Sequence, residues 1–439
     1  MNIKKFTFSF VLLGLFSIGC FANTQFVKVK NGQLFIGNKP YYFIGTNYWY
    51  GSFLGLETNK KRGVERLRQE LDFLKANGVT NLRVMAGAEG EGLIGGVTRV
   101  GPPLQPVQGK FNTEVLEGLD LLLFEMSKRE MKAVIFFSNN WEWSGGFQQY
   151  LTWNNHVPKE QETRKLTWDE QRDIVALFYG CVPCKAAYKE QVNLVMNRTN
   201  KFNKKRYIDD PTIMAWELAN EPRPMRPASE NDYKKWIADT AALIKRKDKN
   251  HLVVIGHEGR IGTEGMPLFE EIHADKNIDY LTIHIWAKNW NWFRNGKLAE
   301  DFPQVVDKAT EYINEHLAVA KKLNKLLVIE EFGLPRNEQS FDINSPTTLR
   351  DEYYTKIFTI LAENAKQNGN LAGANFWAFG GRARPIANQP FWKKGDDYTG
   401  DPPMEEQGLN SVFDSDKTTW QIINKYSKSL EKQMNKKSN

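Results

Sequence analysis

Short apolar runs alternate with longer segments of helical periodicity along most of this chain. Eight of the apolar runs predict β-strands, at residues 41–47, 80–85, 132–137, 213–218, 252–256, 280–285, 326–329 and 372–377. Helices are predicted at residues 61–76, 113–128, 233–245, 305–323, 355–367 and 418–434. This alternation predicts an α/β fold, a parallel sheet closed into a (β/α)8 TIM barrel. An open doubly wound sheet is the alternative, but no glycine-rich phosphate loop follows the first strand.

Two segments fall outside the alternation. Asn31-Gly32 separates two short alternating runs, which predicts an N-terminal β-hairpin that caps one end of the barrel. Residues 139–203 form a long insertion after the third strand, and a helix is predicted near residues 188–202. No linker, repeat or low-complexity stretch divides the chain, so we expect a single domain over residues 23–439.

The first 22 residues have the pattern of a secretory signal. Lys4 and Lys5 precede the apolar run 6–18, and small residues follow it. Cleavage after Ala22 would release a soluble protein, whereas cleavage before Cys20 would leave a lipid-anchored one, since residues 17–20 resemble a lipobox. We therefore expect a secreted, periplasmic or cell-surface protein, with membrane attachment through Cys20 as the open alternative.

The other two cysteines form the motif Cys181-Val-Pro-Cys184. In an exported protein this motif favours a local disulfide or two inert thiols over thioredoxin-like chemistry. No second cysteine pair could complete a zinc site, and no His, Asp and Glu cluster has convincing metal spacing. The sequence predicts neither a metal nor a cofactor.

Composition narrows the partner class. The net charge is +7, but lysine and arginine are scattered, so we do not expect nucleic-acid binding. Aromatic residues make up 13% of the chain, with 13 tryptophans. Flat rings fill cores and also stack on the apolar faces of sugars, so both uses are expected here. We expect a monomer.

Barrel enzymes place their chemistry at the carboxyl ends of the strands. The fourth strand ends in Asn220-Glu221-Pro222, and the seventh runs into Glu330-Glu331. Neighbouring strand residues point to opposite faces, so we expect Glu331 to point inward and Glu330 outward. Two carboxylates at the mouth suit glycosidic hydrolysis, in which a protonated acid assists the leaving oxygen and an ionised nucleophile attacks the sugar carbon. We expect burial and a negative neighbour to keep the acid protonated, and positive or donor groups to keep the nucleophile ionised.

Other predicted strand ends carry polar and aromatic side chains. Arg83 is a candidate partner for the nucleophile, and Asn220 a candidate donor to the substrate. The remaining candidates for substrate binding are Trp49, Trp141, His284, Trp286 and Trp377. Each tryptophan could belong to the core instead. The absence of Gly-x-Ser-x-Gly argues against an esterase with a nucleophile elbow.

These motifs resemble glycoside hydrolase family 5, in its endo-β-1,4-mannanase branch. The matching segments are Gly45-Thr46-Asn47, Asn81-Leu82-Arg83, Asn139-Asn140-Trp141, residues 210–223, His284, Glu330-Glu331-Phe332-Gly333 and Trp377. The resemblance implies Glu221 as acid/base and Glu331 as nucleophile of a retaining double displacement on β-mannan polysaccharides. It also implies that Arg83 and His284 support the site, that Asn220 binds near the cleaved sugar, and that Trp377 forms its stacking floor.

The chain departs from the family pattern in two places. Trp286 follows the sixth strand where the family often has a tyrosine, which puts the hydrogen bond from the phenol to the nucleophile in doubt. Residues 380–404 are long and charged and could close one end of the cleft. Three alternatives stay open: an exo-acting mannosidase, a related β-glucan hydrolase, and an inactive carbohydrate-binding barrel.

Overall fold

A computed structural model describes residues 25–436; the predicted signal segment, with Cys20, lies outside them. The strands within the described part are β1 Val27–Lys30, β2 Gln33–Ile36, β3 Lys39–Pro40, β4 Phe43–Asn47, β5 Val79–Met85, β6 Leu93–Ile94, β7 Val97–Thr98, β8 Lys132–Phe136, β9 Ile213–Glu217, β10 Leu252–Val254, β11 Tyr280–Ile285, β12 Leu326–Phe332, β13 Leu371–Phe376, β14 Phe379–Gly381 and β15 Val412–Phe413. All eight predicted barrel strands are present, with ends shifted by up to three residues.

Eight of these strands form one parallel sheet in the order β10-β9-β8-β5-β4-β13-β12-β11. The two outer strands of this order, β10 and β11, are joined by a backbone hydrogen bond of 2.8 Å from Asp279 N–H to the carbonyl of Val253. The sheet therefore closes on itself, and the predicted (β/α)8 barrel is confirmed. Its strands are buried along nearly their whole length, as expected when helices cover a parallel sheet.

Helices surround the barrel. They are α1 Lys60–Ala76, α2 Thr113–Ser127, α3 Gly146–Trp153, α4 Lys159–Glu162, α5 Trp168–Ala176, α6 Val182–Met196, α7 Glu230–Lys247, α8 Met266–His273, α9 Leu298–Lys322, α10 Thr348–Lys366 and α11 Lys417–Lys436. None of the helices in the described part of the chain combines the length and apolar character needed to cross a membrane.

The predicted helix at residues 188–202 is misplaced, because the structure has α6 six residues earlier. Cys181 caps its first turn by accepting the backbone N–H of Cys184, and Pro183 occupies the first turn, where its missing N–H costs nothing. The two cysteines are joined in a disulfide, one of the two states that the sequence left open. The short helix α8 was not predicted.

The predicted hairpin caps the amino-terminal end of the barrel. Strands β1 and β2 pair antiparallel, and their turn residues Asn31 and Gly32 have φ of 52° and 67°, which Asn-Gly adopts readily. Val27 and Leu34 of the hairpin belong to a small core cluster that also contains side chains from the starts of the barrel strands. The hairpin therefore seals the end of the barrel that lies away from the strand mouths.

A buried carboxylate fastens the loop between α7 and β10 to the barrel. Asp248 accepts the indole N–H of Trp216 at 2.7 Å and contacts Nδ1 of His251 at 2.5 Å. It also accepts the backbone N–H groups of Asn250 and His251. Burial favours the neutral acid, but the hydrogen bond and charge of His251 lower the pKa of Asp248 to about 2.

Replacing Asp248 with alanine is expected to lower the free energy of unfolding by about 3 kcal/mol, because several buried donors lose their hydrogen-bond acceptor. The native carboxylate is stabilised as the anion, so its contribution is complete above the unfolded pKa of about 3.9 and is lost as pH falls toward 2. Urea unfolding of wild type and variant at pH 7 and at pH 3.5 measures both effects. Asp239→Ala, which breaks an exposed pair with Lys235, should change stability by less than about 0.5 kcal/mol.

Candidate active site

The carboxyl ends of the barrel strands open into a cleft of about 550 Å³. This volume lies within the range of about 300–1,000 Å³ that is usual for small-molecule sites. The cleft is lined by aromatic rings and acidic groups. The rings are those of Trp141, Trp143, Trp168, Trp286, Trp290 and Trp377, and the acidic groups are those of Glu221, Glu258, Glu331 and Glu405.

Glu221 lies four residues beyond the end of β9. Its φ of 50° is in the left-handed region, which residues other than glycine adopt uncommonly. The carboxylate accepts hydrogen bonds from Nδ1 of His284 at 2.6 Å and from Nε1 of Trp141 at 2.5 Å. Burial favours the neutral carboxyl, but the hydrogen bond and charge of His284 lower the pKa of Glu221 to about 2.

Glu331 lies near the carboxyl end of β12. Its Oε1 accepts a hydrogen bond from the guanidinium of Arg83, and its Oε2 accepts the indole N–H of Trp286 at 3.2 Å. Nδ1 of His284 lies 3.2 Å from the same Oε2. One oxygen of Glu331 and one of Glu221 lie within 4.8 Å of each other. The expected setting for a nucleophile, a carboxylate held by positive and donor groups, is therefore present around Glu331.

Glu330 and Glu331 both point into the barrel, so the prediction that Glu330 faces outward is wrong. The register between β11 and β12 shifts at this point, and Glu331 pairs with His284 while Glu330 has no partner across the strands. Such a bulge breaks the strict alternation of side chains in a strand. As a result, Oε2 of Glu330 lies only 3.8 Å from Nε of Arg83, and Glu330 is completely buried.

Arg83, on β5, forms hydrogen bonds with several acidic and amide side chains below the cleft. Its guanidinium donates to the two oxygens of Glu217 at 2.8 and 2.5 Å, and to Oδ1 of Asn220 at 2.7 Å. Burial raises the pKa of Glu217 to about 8, although Arg83 opposes this shift. Arg83 is itself fully buried, so it contacts Glu331 as predicted but does not reach the cleft. Asn220 does line the cleft.

His284 lies between the two carboxylates of the site. Burial alone would lower its pKa, but Glu331 and the hydrogen bond to Glu221 raise the pKa of His284 well above its usual value. The expectation of a protonated Glu221 is therefore wrong for the free protein. Both shifts favour a charged imidazole 2.6 Å from an ionised Glu221 carboxylate, because His284 lies between two carboxylates. His284 is fully buried, so it contacts the two carboxylates and does not line the cleft.

Trp286 fills the position where the family pattern has a tyrosine. Its indole N–H donates to Glu331 at 3.2 Å, so an N–H replaces the expected phenol O–H at the nucleophile. Its ring also meets that of Trp377 edge to face, with ring centroids 5.8 Å apart. The doubt that the sequence raised about this hydrogen bond is thereby answered, since an indole provides the donor from the same strand end.

Replacing Trp286 with phenylalanine keeps an aromatic ring but removes the N–H. Hydrogen bonds to charged groups contribute about 1.5–3 kcal/mol, so kcat/KM for glycosidic cleavage is expected to fall roughly 10- to 100-fold. Trp290→Phe is the matched control, since Trp290 lines the same cleft and makes no hydrogen bond to Glu221 or Glu331 in the described structure. Equal losses in the two variants would show that the indole N–H of Trp286 has no special role.

The other predicted tryptophans separate into two groups. Trp141 and Trp377 line the cleft, and Trp377 precedes a cis peptide bond to Ala378. Trp49 does not line it, and its prediction as a substrate contact is wrong. The ring of Trp49 is fully buried against Trp143, and its N–H donates to the carbonyl of Gly400 at 2.7 Å. Its position beside a strand end could not reveal that a later loop covers it.

Three features of the cleft were not predicted as parts of the site. Glu258 forms two hydrogen bonds with Arg223, whose guanidinium lies over the rings of Trp141 and Trp168. Trp168 comes from the insertion and is about half exposed. Burial, with nearby carboxylates, raises the pKa of Glu405 to about 8, and Glu405 lies just after the segment 380–404 that was expected to close the cleft. Aromatic content alone could have singled out Trp168, but no local pattern marks Glu405.

One group of potential metal ligands outside the cleft consists of His156, Cys181 and Cys184. Both sulfurs are joined in the disulfide, so neither can bind a metal ion in this state. In the cleft, the oxygens of Glu221 and Glu331 are occupied by hydrogen bonds from protein donors. The arrangement suits acid–base and nucleophilic chemistry by side chains.

Comparison with known proteins relates this site to one family. The model of the family described as "GH family 5 beta-mannosidase-like" matches residues 24–435. The crystal structure of a glycoside hydrolase family 5 mannosidase from Rhizomucor miehei is similar, with a TM-score of 0.85 and 32% identity. That alignment covers 94% of this chain and 99% of the other.

A mannan endo-1,4-beta-mannosidase from Solanum lycopersicum is 28% identical over 368 residues, which cover 81% of this chain and 84% of that protein. The structure of the endo-beta-1,4-mannanase from Thermotoga petrophila has 22% identity to this chain and a TM-score of 0.62. The alignment covers 89% of this chain and 77% of the Thermotoga chain. This last similarity supports the fold alone. With the family match over nearly the whole described chain, these comparisons show that the protein belongs to the β-mannosidase-like group of glycoside hydrolase family 5.

Proposed function

We propose that this protein hydrolyses β-1,4-mannosidic linkages within mannan, glucomannan or galactomannan, with retention of anomeric configuration. One observation carries the proposal: oxygens of Glu221 and Glu331 lie within 4.8 Å of each other at the mouth of a barrel. Retaining glycosidases separate their carboxyl groups by about 5–5.5 Å, whereas inverting enzymes need about 6.5–9.5 Å to admit a water molecule. An approach of two oxygens to within 4.8 Å is compatible with the retaining separation and is shorter than the inverting one.

The geometry supports a double displacement. In the first step an oxygen of Glu331 bonds to the anomeric carbon, and the bond from that carbon to the leaving oxygen breaks. The leaving oxygen takes a proton from Glu221, which draws it from Nδ1 of His284. In the second step Glu221 accepts a proton from water, and the resulting hydroxide oxygen displaces Glu331 from the sugar. The donors Arg83 and Trp286 hold the carboxylate of Glu331 in place before the first step and stabilise it as the leaving group of the second.

The substrate class rests on the relatives and on the cleft. The tomato relative carries the name mannan endo-1,4-beta-mannosidase, and a variant of the Rhizomucor mannosidase was solved in complex with mannosyl-fructose. The six tryptophans of the cleft offer flat apolar surfaces of the kind that stack on sugar rings. Together they support a polysaccharide built of β-mannosyl units as substrate.

Exo action on short mannosides is the second candidate. Met404 and Glu405, at the end of a long loop, form part of the cleft wall. The Rhizomucor relative, 32% identical over nearly its whole length, is named a mannosidase rather than an endo-mannanase. A wall across one end would leave space for only a few sugar units and favour release from a chain end.

Product analysis over time distinguishes these candidates. Protein lacking residues 1–22 is incubated with mannan, glucomannan and carboxymethylcellulose, and the products are resolved by size. Early release of mixed mannooligosaccharides would support endo action. Mannose or mannobiose alone from the first minutes would support exo action. Cleavage of cellulose alone would overturn the mannan assignment, and binding without any product would favour an inactive carbohydrate-binding barrel.

Export remains part of the proposal and is supported by the N-terminal pattern alone. We propose that residues 1–22 direct the protein out of the cytoplasm. Export would bring the enzyme to polysaccharide substrates outside the cell. Cleavage before Cys20 would keep this cysteine as the lipid attachment site, whereas cleavage after Ala22 would remove it and release the protein. Mass spectrometry of the mature N-terminus in the native host would distinguish cleavage after Ala22 from acylation of Cys20.

A further inference from the structure

Glu330 is a buried carboxylate that the double displacement does not use. It is completely buried, and neither of its oxygens has a hydrogen-bond partner among the described residues. A buried carboxylate without partners is costly, so the groups nearest to it are informative. Two donors lie just beyond hydrogen-bond distance of its Oε2, namely Nε of Arg83 at 3.8 Å and Nε2 of His284 at 3.7 Å.

Only one of these two donors is uncommitted. Nε of Arg83 already donates to Glu217 at 2.8 Å. Nε2 of His284 has no hydrogen-bond partner among the described residues, whereas Nδ1 of the same ring faces Glu221. The imidazole therefore lies between two carboxylates, with Glu330 on the Nε2 side and Glu221 on the Nδ1 side. A shift of a few tenths of an ångström, or a bridging water, would complete the second contact.

We propose that Glu330 is a positioning residue that keeps a proton on Nε2 of His284, so that the proton on Nδ1 is the one that passes to Glu221. The inference rests on the proposed function and deepens it. When Nδ1–H transfers its proton to Oε1 of Glu221, the ring becomes the neutral Nε2–H tautomer and Glu221 becomes the neutral acid. The number of protons is unchanged, and the neutral ring keeps its remaining N–H directed at Glu330.

This arrangement accounts for an acid whose pKa is low in the free protein. Glu221 does not store the proton itself but receives it when a leaving oxygen needs it. A carboxylate that orients an imidazole and selects its tautomer has the same role in catalytic triads. The charged and titratable groups that face His284 and Glu330 from the surrounding strands belong to the same cluster. They are Arg83 on β5, Glu217 on β9, Tyr280 on β11, Glu331 on β12, Glu221 beyond β9, and His257 and Glu258 beyond β10.

Two substrates that differ in their leaving group can test whether Glu330 acts through the proton delivered to the leaving oxygen. Cleavage of mannobiose needs protonation of the leaving sugar oxygen. Dinitrophenolate is a much better leaving group and departs from 2,4-dinitrophenyl β-mannoside without protonation. Glu330→Gln is expected to lower kcat/KM for mannobiose about 10- to 100-fold and to change the aryl substrate less than about threefold. The basic limb of the pH profile for mannobiose should move about one pH unit lower, because the variant removes a negative charge that stabilises the proton on His284.

Glu217→Gln is the matched control, because Glu217 is an equally buried carboxylate that holds Arg83 rather than the imidazole. Its loss should affect both substrates alike, through the nucleophile, and Glu330→Asp should restore part of the mannobiose activity. Equal losses on both substrates in Glu330→Gln, or an unchanged pH profile, would overturn the inference. A wild-type protein that cleaves none of mannan, mannobiose and the aryl mannoside would instead refute the proposed function.

A measurement on the wild type covers the case in which the variants fail to fold. The chain contains six histidines, so selective ¹⁵N-histidine labelling gives a short list of ring signals. The signals of His284 should show both nitrogens protonated near neutral pH and Nδ1 losing its proton first as pH rises. A neutral ring that keeps its proton on Nδ1 would overturn the inference.

Discussion

Replacing Glu331 with alanine is expected to lower kcat/KM on mannan by about 10⁵-fold, the largest loss that we expect from a single substitution. Removal of a covalent nucleophile in a well-studied hydrolase costs on the order of 10⁶ in kcat, and the remaining groups of a site preserve part of the acceleration. The geometry explains why no neighbour can substitute. Glu330 is completely buried, and Glu217 is held by two hydrogen bonds to Arg83.

Small anions provide the decisive measurement for this variant. Azide or formate can enter the space left by the missing side chain and attack an activated mannoside in place of Glu331. The product of azide attack should have the α configuration, because one displacement replaces two. Wild-type turnover by Glu331→Ala, in a preparation shown by mass spectrometry to be free of wild-type enzyme, would exclude Glu331 as the nucleophile. Unchanged circular dichroism and a similar melting temperature exclude unfolding as the cause of the loss.

The barrel could be predicted from the sequence because its determinants are local. Each strand is a short apolar run, and each following helix has its own periodic apolar face. The carboxylates at residues 221 and 331 could be found for the same reason, since each lies within a few residues of the end of a predicted strand. Strand ends of a parallel barrel meet at one face, so a local pattern is sufficient to place such residues near each other.

Features that depend on contacts between distant segments could not be predicted. The inward direction of Glu330 results from a register shift between β11 and β12, which no pattern within β12 shows. The burial of Trp49 depends on Gly400, which lies about 350 residues later in the chain. The indole N–H of Trp286 reaches Glu331 because the two residues end neighbouring strands. In each case the residue type was visible in the sequence, but its partner was not.

The protonation of the acid was mispredicted for a related reason. Burial was expected to keep Glu221 neutral, and burial does act in that direction. A histidine between two carboxylates reverses the outcome, because the carboxylates raise the pKa of its imidazole and the charged ring lowers the pKa of Glu221. The sequence showed His284 as a candidate but could not show that its Nδ1 lies within 3.2 Å of both Glu221 and Glu331. The acid and its proton donor therefore have to be considered as one unit.

Replacing Glu221 with glutamine is expected to lower kcat on mannan by about 10³- to 10⁴-fold while mannan binding stays intact. Glutamine fills nearly the same volume and can still meet Trp141 and His284, but it cannot pass a proton to the leaving oxygen. Formation of the covalent intermediate from 2,4-dinitrophenyl β-mannoside needs no acid and should remain fast, whereas its hydrolysis needs the general base and should become slow. Stopped-flow mixing is therefore expected to show a burst of dinitrophenolate followed by a slow steady state.

The same variant also tests where the proton resides. In the wild type the proton is shared by Glu221 and His284, so the basic limb of the pH profile reports its loss from the pair. Without the carboxylate at Glu221, that limb should disappear from the turnover of mannan. Azide should accelerate the slow step on the aryl substrate and give a product with the β configuration, because two displacements have then occurred. An α product, or a pH profile with the wild-type basic limb, would mean that Glu221 is not the acid/base and that another group protonates the leaving oxygen.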